Sequence, residues 1–153
     1  MNTKSVRRGL AMMAVLAVTG AGGFAVASSA SAAGYGGVQP ENTICFKDRK
    51  VVRQAPLLKG RLNLGKIELW YSPRCRTTWA RVETVKTAAF GFRGAAEVIR
   101  NTDQMNNDCW VHDGAKACTT TMMNDANVTS YARGWIFASY PSDHSAHTQT
   151  GSY

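Results

Sequence analysis

Histidine is scarce in this chain, and its three copies are scattered: His112 in "CWVHDG", then His144 and His147 near the end. No His-x-His, His-Glu-x-x-His or acidic calcium-loop pattern occurs, and "GYGG" at 34–37 neither follows a strand nor opens a helix. The cysteines include no close Cys-x-x-Cys pair, so a zinc site lacks its usual spacing. These absences leave no metal and no cofactor to expect. Acid is also in short supply, with 10 Asp and Glu against 18 Lys and Arg and a formal net charge of +8. The apolar run Leu10 to Val18 stops short of the ~20 residues that cross a bilayer.

That run has a different context. Lys4, Arg7 and Arg8 precede it, and the small-residue stretch "ASSASAA" follows with an Ala30-Ser31-Ala32 pattern, the layout of an export signal over residues 1–32. Removing it takes those three positive charges away and leaves about +5 on roughly 120 residues. The expected location is therefore secreted, extracellular, with no membrane span after signal cleavage. A moderate positive balance there suits adhesion to anionic polymers, though it also simply aids solubility.

Cys45, Cys75, Cys109 and Cys118 all fall in the mature part, and an even count in an exported chain predicts two disulfides. Three connectivities are open. The favoured one joins Cys45 to Cys75 and Cys109 to Cys118, because the latter two are close in sequence.

Residues 33–43, "AGYGGVQPENT", offer little to bury and read as a flexible lead-in. Residues 44–140 have the length of one domain, and residues 141–153 read as a polar, frayed tail. Within the domain, apolar residues recur at period two in short runs. "KIELWYS" sets Ile67, Leu69 and Tyr71 against Glu68 and Trp70, Pro73 stops it, and "TTWARVETV" follows, so residues 66–85 read as a hairpin turned by "PRCR". "KTAAFGFRG" places Phe90 and Phe92 on one face of a third strand, and "AAEVIRNTD" follows as a further strand. Asp113-Gly114 suggests a disulfide-closed hairpin between Cys109 and Cys118, and "VTSYARGWIFASY" two final strands broken at Gly134. The predicted class is mainly β: a small antiparallel barrel or sandwich held by two disulfides.

The run "ELWYSPRCRTTWARV" resembles the signature of small secreted proteins from high-GC Gram-positive bacteria, catalogued as domain of unknown function twenty-six ninety. The matching positions are Tyr71, Ser72, Pro73, Cys75, Thr78, Trp79, Ala80 and Arg81, with "MNDANVTSYARG", ending at Gly134, similar to the family's C-terminal segment. Members tend to carry a second cysteine near the position of Cys45, which this chain lacks. The resemblance implies a fold family and no catalytic residues.

Candidate chemistry is sparse. His112 with Asp113 or Asp108, and the pair Glu68 and Glu83, are the available hydrolytic groups; the pair reads better as solvent-facing partners of Arg81, Arg76 or Lys66. The aromatic and basic set is the stronger signal. Trp70, Arg74 and Arg76 are expected at the surface, with Trp79 in the core and Arg81 covering it by its stem. The binding candidates are thus Trp70, Arg74, Arg76 and Arg81. Three functions follow: a non-enzymatic secreted domain binding anionic or glycan surfaces, a protein-directed inhibitor or toxin-like module using the hairpin tip, or a small secreted hydrolase.

Overall fold

The computed structural model describes residues 34–87, 92–138 and 145–153, so the leader assigned to 1–32, Phe90 and His144 lie outside the described residues. The fold is mainly β, two antiparallel sheets stacked as a sandwich. The first sheet runs in the order β1 (Lys50–Lys59), β2 (Leu62–Ser72), β3 (Thr77–Thr84), with β6 (Ala117–Thr119) and β7 (Met123–Asn124) both pairing along the far side of β3. The second runs β5 (Asn106–Trp110), β4 (Phe92–Arg100), β8 (Ser130–Ala138), β9 (Ala146–Gln149). β1 packs against β9, β2 against β8 and β3 against β4. Between the sheets lies a core that includes Leu57, Ile67, Leu69, Val82, Val98 and Ile136.

The expected hairpin is present. β2 and β3 pair from Gly65↔Thr84 to Ser72↔Thr77, turned by residues 73–76. Ile67 and Leu69 face the core as their alternation predicts, and Trp79 is buried.

Several expectations are corrected. Both predicted disulfides form, but Cys109 and Cys118 do not close a hairpin: β5 pairs with β4 and β6 with β3, so this bridge staples one sheet to the other. The Asp113-Gly114 turn, with Gly114 at φ 84°, carries the chain across the gap between sheets. The strands placed separately around Phe92 and Val98 are one, β4. Gly134 breaks nothing; β8 runs through it, because the glycine is where the opposite sheet approaches. A Cβ there would lie 2.8 Å from the Ile67 Cβ.

β1 went unpredicted, since "KVVRQAPLLK" has no clean alternation. It is an edge strand, mostly exposed, and an edge tolerates Pro56. Nor do residues 145–153 fray. β9 adds an edge to the second sheet, and beyond it Thr150 N–H donates to Ala132 O while Tyr153 and Ser130 exchange backbone hydrogen bonds. The folded unit therefore extends past residue 140. At the other end the lead-in is docked: Gly37 N–H donates to Met122 O at 2.9 Å, and Met122 N–H donates to Val38 O at 2.8 Å.

Where β7 leads back toward β8, Asp125 is buried, accepting from Ser130 Oγ at 2.6 Å while its N–H donates to Arg76 O. Burial pushes its carboxyl up to about 6, against the opposing influence of the Ser130 hydrogen bond and Arg100.

Two outcomes are expected. Gly134→Ala forces Ile67 or the sheet to move and should cost about 1 to 3 kcal/mol, read as a lower urea midpoint at unchanged slope. Gly36→Ala, with open space around it, is the neutral control. For Asp125, the native state holds the proton between the unfolded pKa near 4 and the folded value of about 6. Its contribution to stability therefore falls as pH rises through that window. Asp125→Asn should gain on the order of 2 kcal/mol relative to wild type between pH 4 and pH 7; a difference that stays constant with pH would refute the assignment.

Candidate functional site

The outer face of the β2–β3 hairpin is a ladder fixed by register: Lys66 opposite Glu83, Glu68 opposite Arg81, Trp70 opposite Trp79, Ser72 opposite Thr77. Its charged rungs close on themselves. Lys66 Nζ lies 2.7 Å from Glu68 and 3.7 Å from Glu83, and Arg81 Nη1 lies 3.0 Å from Glu83 and 3.8 Å from Glu68. Trp70 Nε1–H donates to Glu68 Oε2 at 3.0 Å. The expectation that both carboxylates face solvent fails for Glu68, which is buried beneath its partners and Trp70. The Arg81 hydrogen bond holds the Glu83 carboxyl below its ordinary range, and the Glu68 hydrogen bond raises Lys66.

The aromatic rungs are covered from outside. Residues 35–49 cross this face with two single-turn 3-10 segments, Pro40–Asn42 and Ile44–Phe46, and the Cys45–Cys75 disulfide pins them to the hairpin tip. A second small core results: Cys45, Cys75, Trp79 and Met122 are buried, with Tyr35, Phe46 and Trp70 packed against them. Trp79 is 1% exposed, while Trp70, stacked on it at 6.5 Å, stays half-buried. Asp48 fixes the segment further by accepting from Ser72 Oγ at 2.7 Å and from Arg74 N–H at 2.8 Å.

The seam between the segment and the sheet opens as a cleft of about 240 Å³. Phe46, Arg49, Trp70, Trp79, Arg81 and Glu41 line it. The Arg49 guanidinium lies 3.6 Å from the Phe46 ring centre and 5.5 Å from that of Trp70, and donates to Phe46 O. Among the described residues it forms no ion pair, whereas Arg81 is held by two carboxylates.

Of the residues singled out from sequence, Trp70 and Arg81 meet in this cleft, and Arg74 and Arg76 do not. The tip that carries the latter is held by the Cys45–Cys75 bridge and Asp48. Arg74 is exposed; Arg76, at φ 50°, folds back so that its Nη2 donates to Asn127 Oδ1 at 2.7 Å. His112 sits exposed in the turn between the sheets, and it forms no ion pair with Asp108 or Asp113; the latter pairs with Arg93. Sequence reasoning missed Glu41, Phe46 and Arg49, which lie in a segment without periodicity. The Cys45–Cys75 pairing held the missing signal: whatever flanks Cys45 must lie over the strand that follows Cys75.

Residues 33–133 match the model of a protein family of unknown function, DUF2690, and the chain belongs to that family. It is 30% identical over 133 residues to the uncharacterized protein YjfA of Bacillus subtilis (strain 168), covering 81% of this chain and 82% of that protein. No solved structure matches.

Proposed function

We propose that this member of the family acts outside the cell as a non-enzymatic binding domain for anionic glycan. The cleft under residues 41–49 receives a sugar ring, and Arg49 receives its acidic group. The observation that carries the reading is the placement of Arg49, a guanidinium held over the Phe46 ring at the cleft and in no ion pair with any described carboxylate. A fixed planar fork of donors suits a carboxylate or phosphate. Trp70 supplies a half-open ring beside it, and Glu41 an acceptor for hydroxyls.

Two disulfides fit an oxidising compartment, and among the described residues no helix is long and apolar enough to cross a membrane. Both are compatible with export by the leader read at residues 1–32. The positive balance of the chain favours anionic polymers over neutral ones. A hydrolytic role has less support, because Glu68 and Glu83 are both engaged by Lys66 and Arg81, and an acid catalyst needs a raised pKa where Glu83 has a lowered one.

A protein-directed role draws support from one observation: the tip is tied down by the Cys45–Cys75 bridge and by Asp48, and Arg74 is exposed on it. Arg76, turned onto Asn127, adds nothing to that reading.

The test is retention on immobilised polygalacturonate, dextran and polyglutamate at low and high salt. Polygalacturonate should hold the protein, less so as salt rises from about 50 to 500 mM. Arg49→Gln should weaken binding about tenfold, the loss of one charge-assisted hydrogen bond. No retention, or equal retention of Arg49→Gln, rules out the cleft. Equal affinity for polyglutamate rules out the sugar.

A further inference from the structure

The outer face of the second sheet holds a different surface. Ala95 in β4 lies in register with Trp110 on one side and Trp135 on the other. Its single methyl leaves a groove between the two indoles, about 160 Å³, lined by Ala95, Glu97, Asp108, Trp110, Trp135 and Phe137. Trp110 and Phe137 stack at 5.6 Å, yet remain 51% and 42% exposed. Large rings left this open on a sheet face mark a contact surface more often than chance exposure.

The next rung carries the charge. Glu97 lies directly opposite Asp108, and like charges in register destabilise a sheet. The counter-charge is Arg133 on the other neighbouring strand, whose Nη1 is 3.9 Å from Glu97 while its Nη2 donates to Tyr131 Oη and the guanidinium sits 5.8 Å from the Trp135 ring. Asp108 forms no ion pair among the described residues, and Arg93, the other cation of this face, is bridged to Asp113 at 3.3 Å. An under-neutralised pair of carboxylates beside three aromatic rings thus stands in a chain whose formal net charge is +8.

We infer that this groove binds the trimethylammonium head group of a choline-type ligand. Ring faces carry negative quadrupole potential and attract a cation laid over them, and the two carboxylates add field of the same sign. A trimethylammonium has no N–H, so the apolar Ala95 floor leaves none of its donors unsatisfied. A primary ammonium keeps three donors and a tight hydration shell that this floor cannot replace. An anion is repelled by Glu97 and Asp108, and a neutral sugar leaves their mutual repulsion unrelieved.

The test titrates the intact protein with choline, with its neutral tert-butyl analogue in which carbon replaces nitrogen, and with ethanolamine, its primary-ammonium counterpart, reading tryptophan fluorescence at constant ionic strength. Choline should saturate, at least about fivefold tighter than the neutral analogue. Asp108→Asn should weaken it about fivefold and Trp110→Ala more; both side chains are exposed, so near-UV circular dichroism should show the fold intact. Arg49→Gln, on the segment that covers the other sheet, should leave choline binding unchanged. The inference is overturned if the neutral analogue or ethanolamine binds as well as choline, if Asp108→Asn has no effect, or if choline fails to saturate by about 100 mM.

Discussion

Trp79 lies on the side of its sheet that faces away from the second sheet, and it is nevertheless almost entirely buried. A sheet with one covered face alternates buried and exposed residues; β3 instead is buried at Thr77, Thr78, Trp79 and Ala80 in succession. Something must therefore cover the outside. What covers it is a segment of about fifteen residues with only two single-turn 3-10 pieces, too irregular to dock by a hydrophobic stripe of its own. The Cys45–Cys75 bridge supplies the missing constraint by closing a loop of 30 residues, worth about 3 to 4 kcal/mol on the chain-entropy model. Asp48 then sets the angle of the segment through its hydrogen bonds to Ser72 and Arg74. The cleft is the seam left where this cover meets the ladder.

That dependence explains which features were readable in the sequence. The hairpin was legible because Ile67, Leu69 and the terminating Pro73 state a strand and its end within seven residues. Of the three possible connectivities the favoured one forms: the closeness of Cys109 and Cys118 pointed to their bridge, which leaves Cys45 with Cys75. The sheet assignment of Cys109 and Cys118 was not legible, because a nine-residue separation fits a hairpin and a sheet-to-sheet staple equally well. Gly134 misled for a related reason: within one strand a glycine looks like a weakness, and only the opposing Ile67 shows it to be a seat. β1 is an edge strand exposed along most of its length and so lacks the alternation that burial imposes, and β9, though it turns Ala146 inward, is only four residues long. Of the candidate site, Trp70 and Arg81 could be found because they sit on the periodic hairpin. Phe46 and Arg49 reach it only through a covalent bond between distant residues.

The two outer faces treat charge in opposite ways, and register is the cause. On the first sheet every carboxylate of the ladder meets a cation directly across the strand pair, Glu83 with Lys66 and Glu68 with Arg81. The four charges satisfy one another, and Arg49, on the covering segment, is the cation of the cleft that forms no ion pair among the described residues. On the second sheet Glu97 meets Asp108 on one neighbour and Arg133 on the other, and Arg133 is shared with Tyr131 and Trp135. Backbone pairing fixes these rungs, so the side chains cannot rearrange to remove the mismatch. Changing Asp108 to a neutral residue would remove it at no cost to the core, since that side chain is exposed. Locally unfavourable choices with no structural return concentrate where a surface serves something other than folding. By that reasoning the acidic rung beside Trp110 supports the inferred choline-type site, whereas the balanced charges of the first ladder are accounted for by the fold, which leaves Trp70 and Arg49 to the proposed glycan cleft.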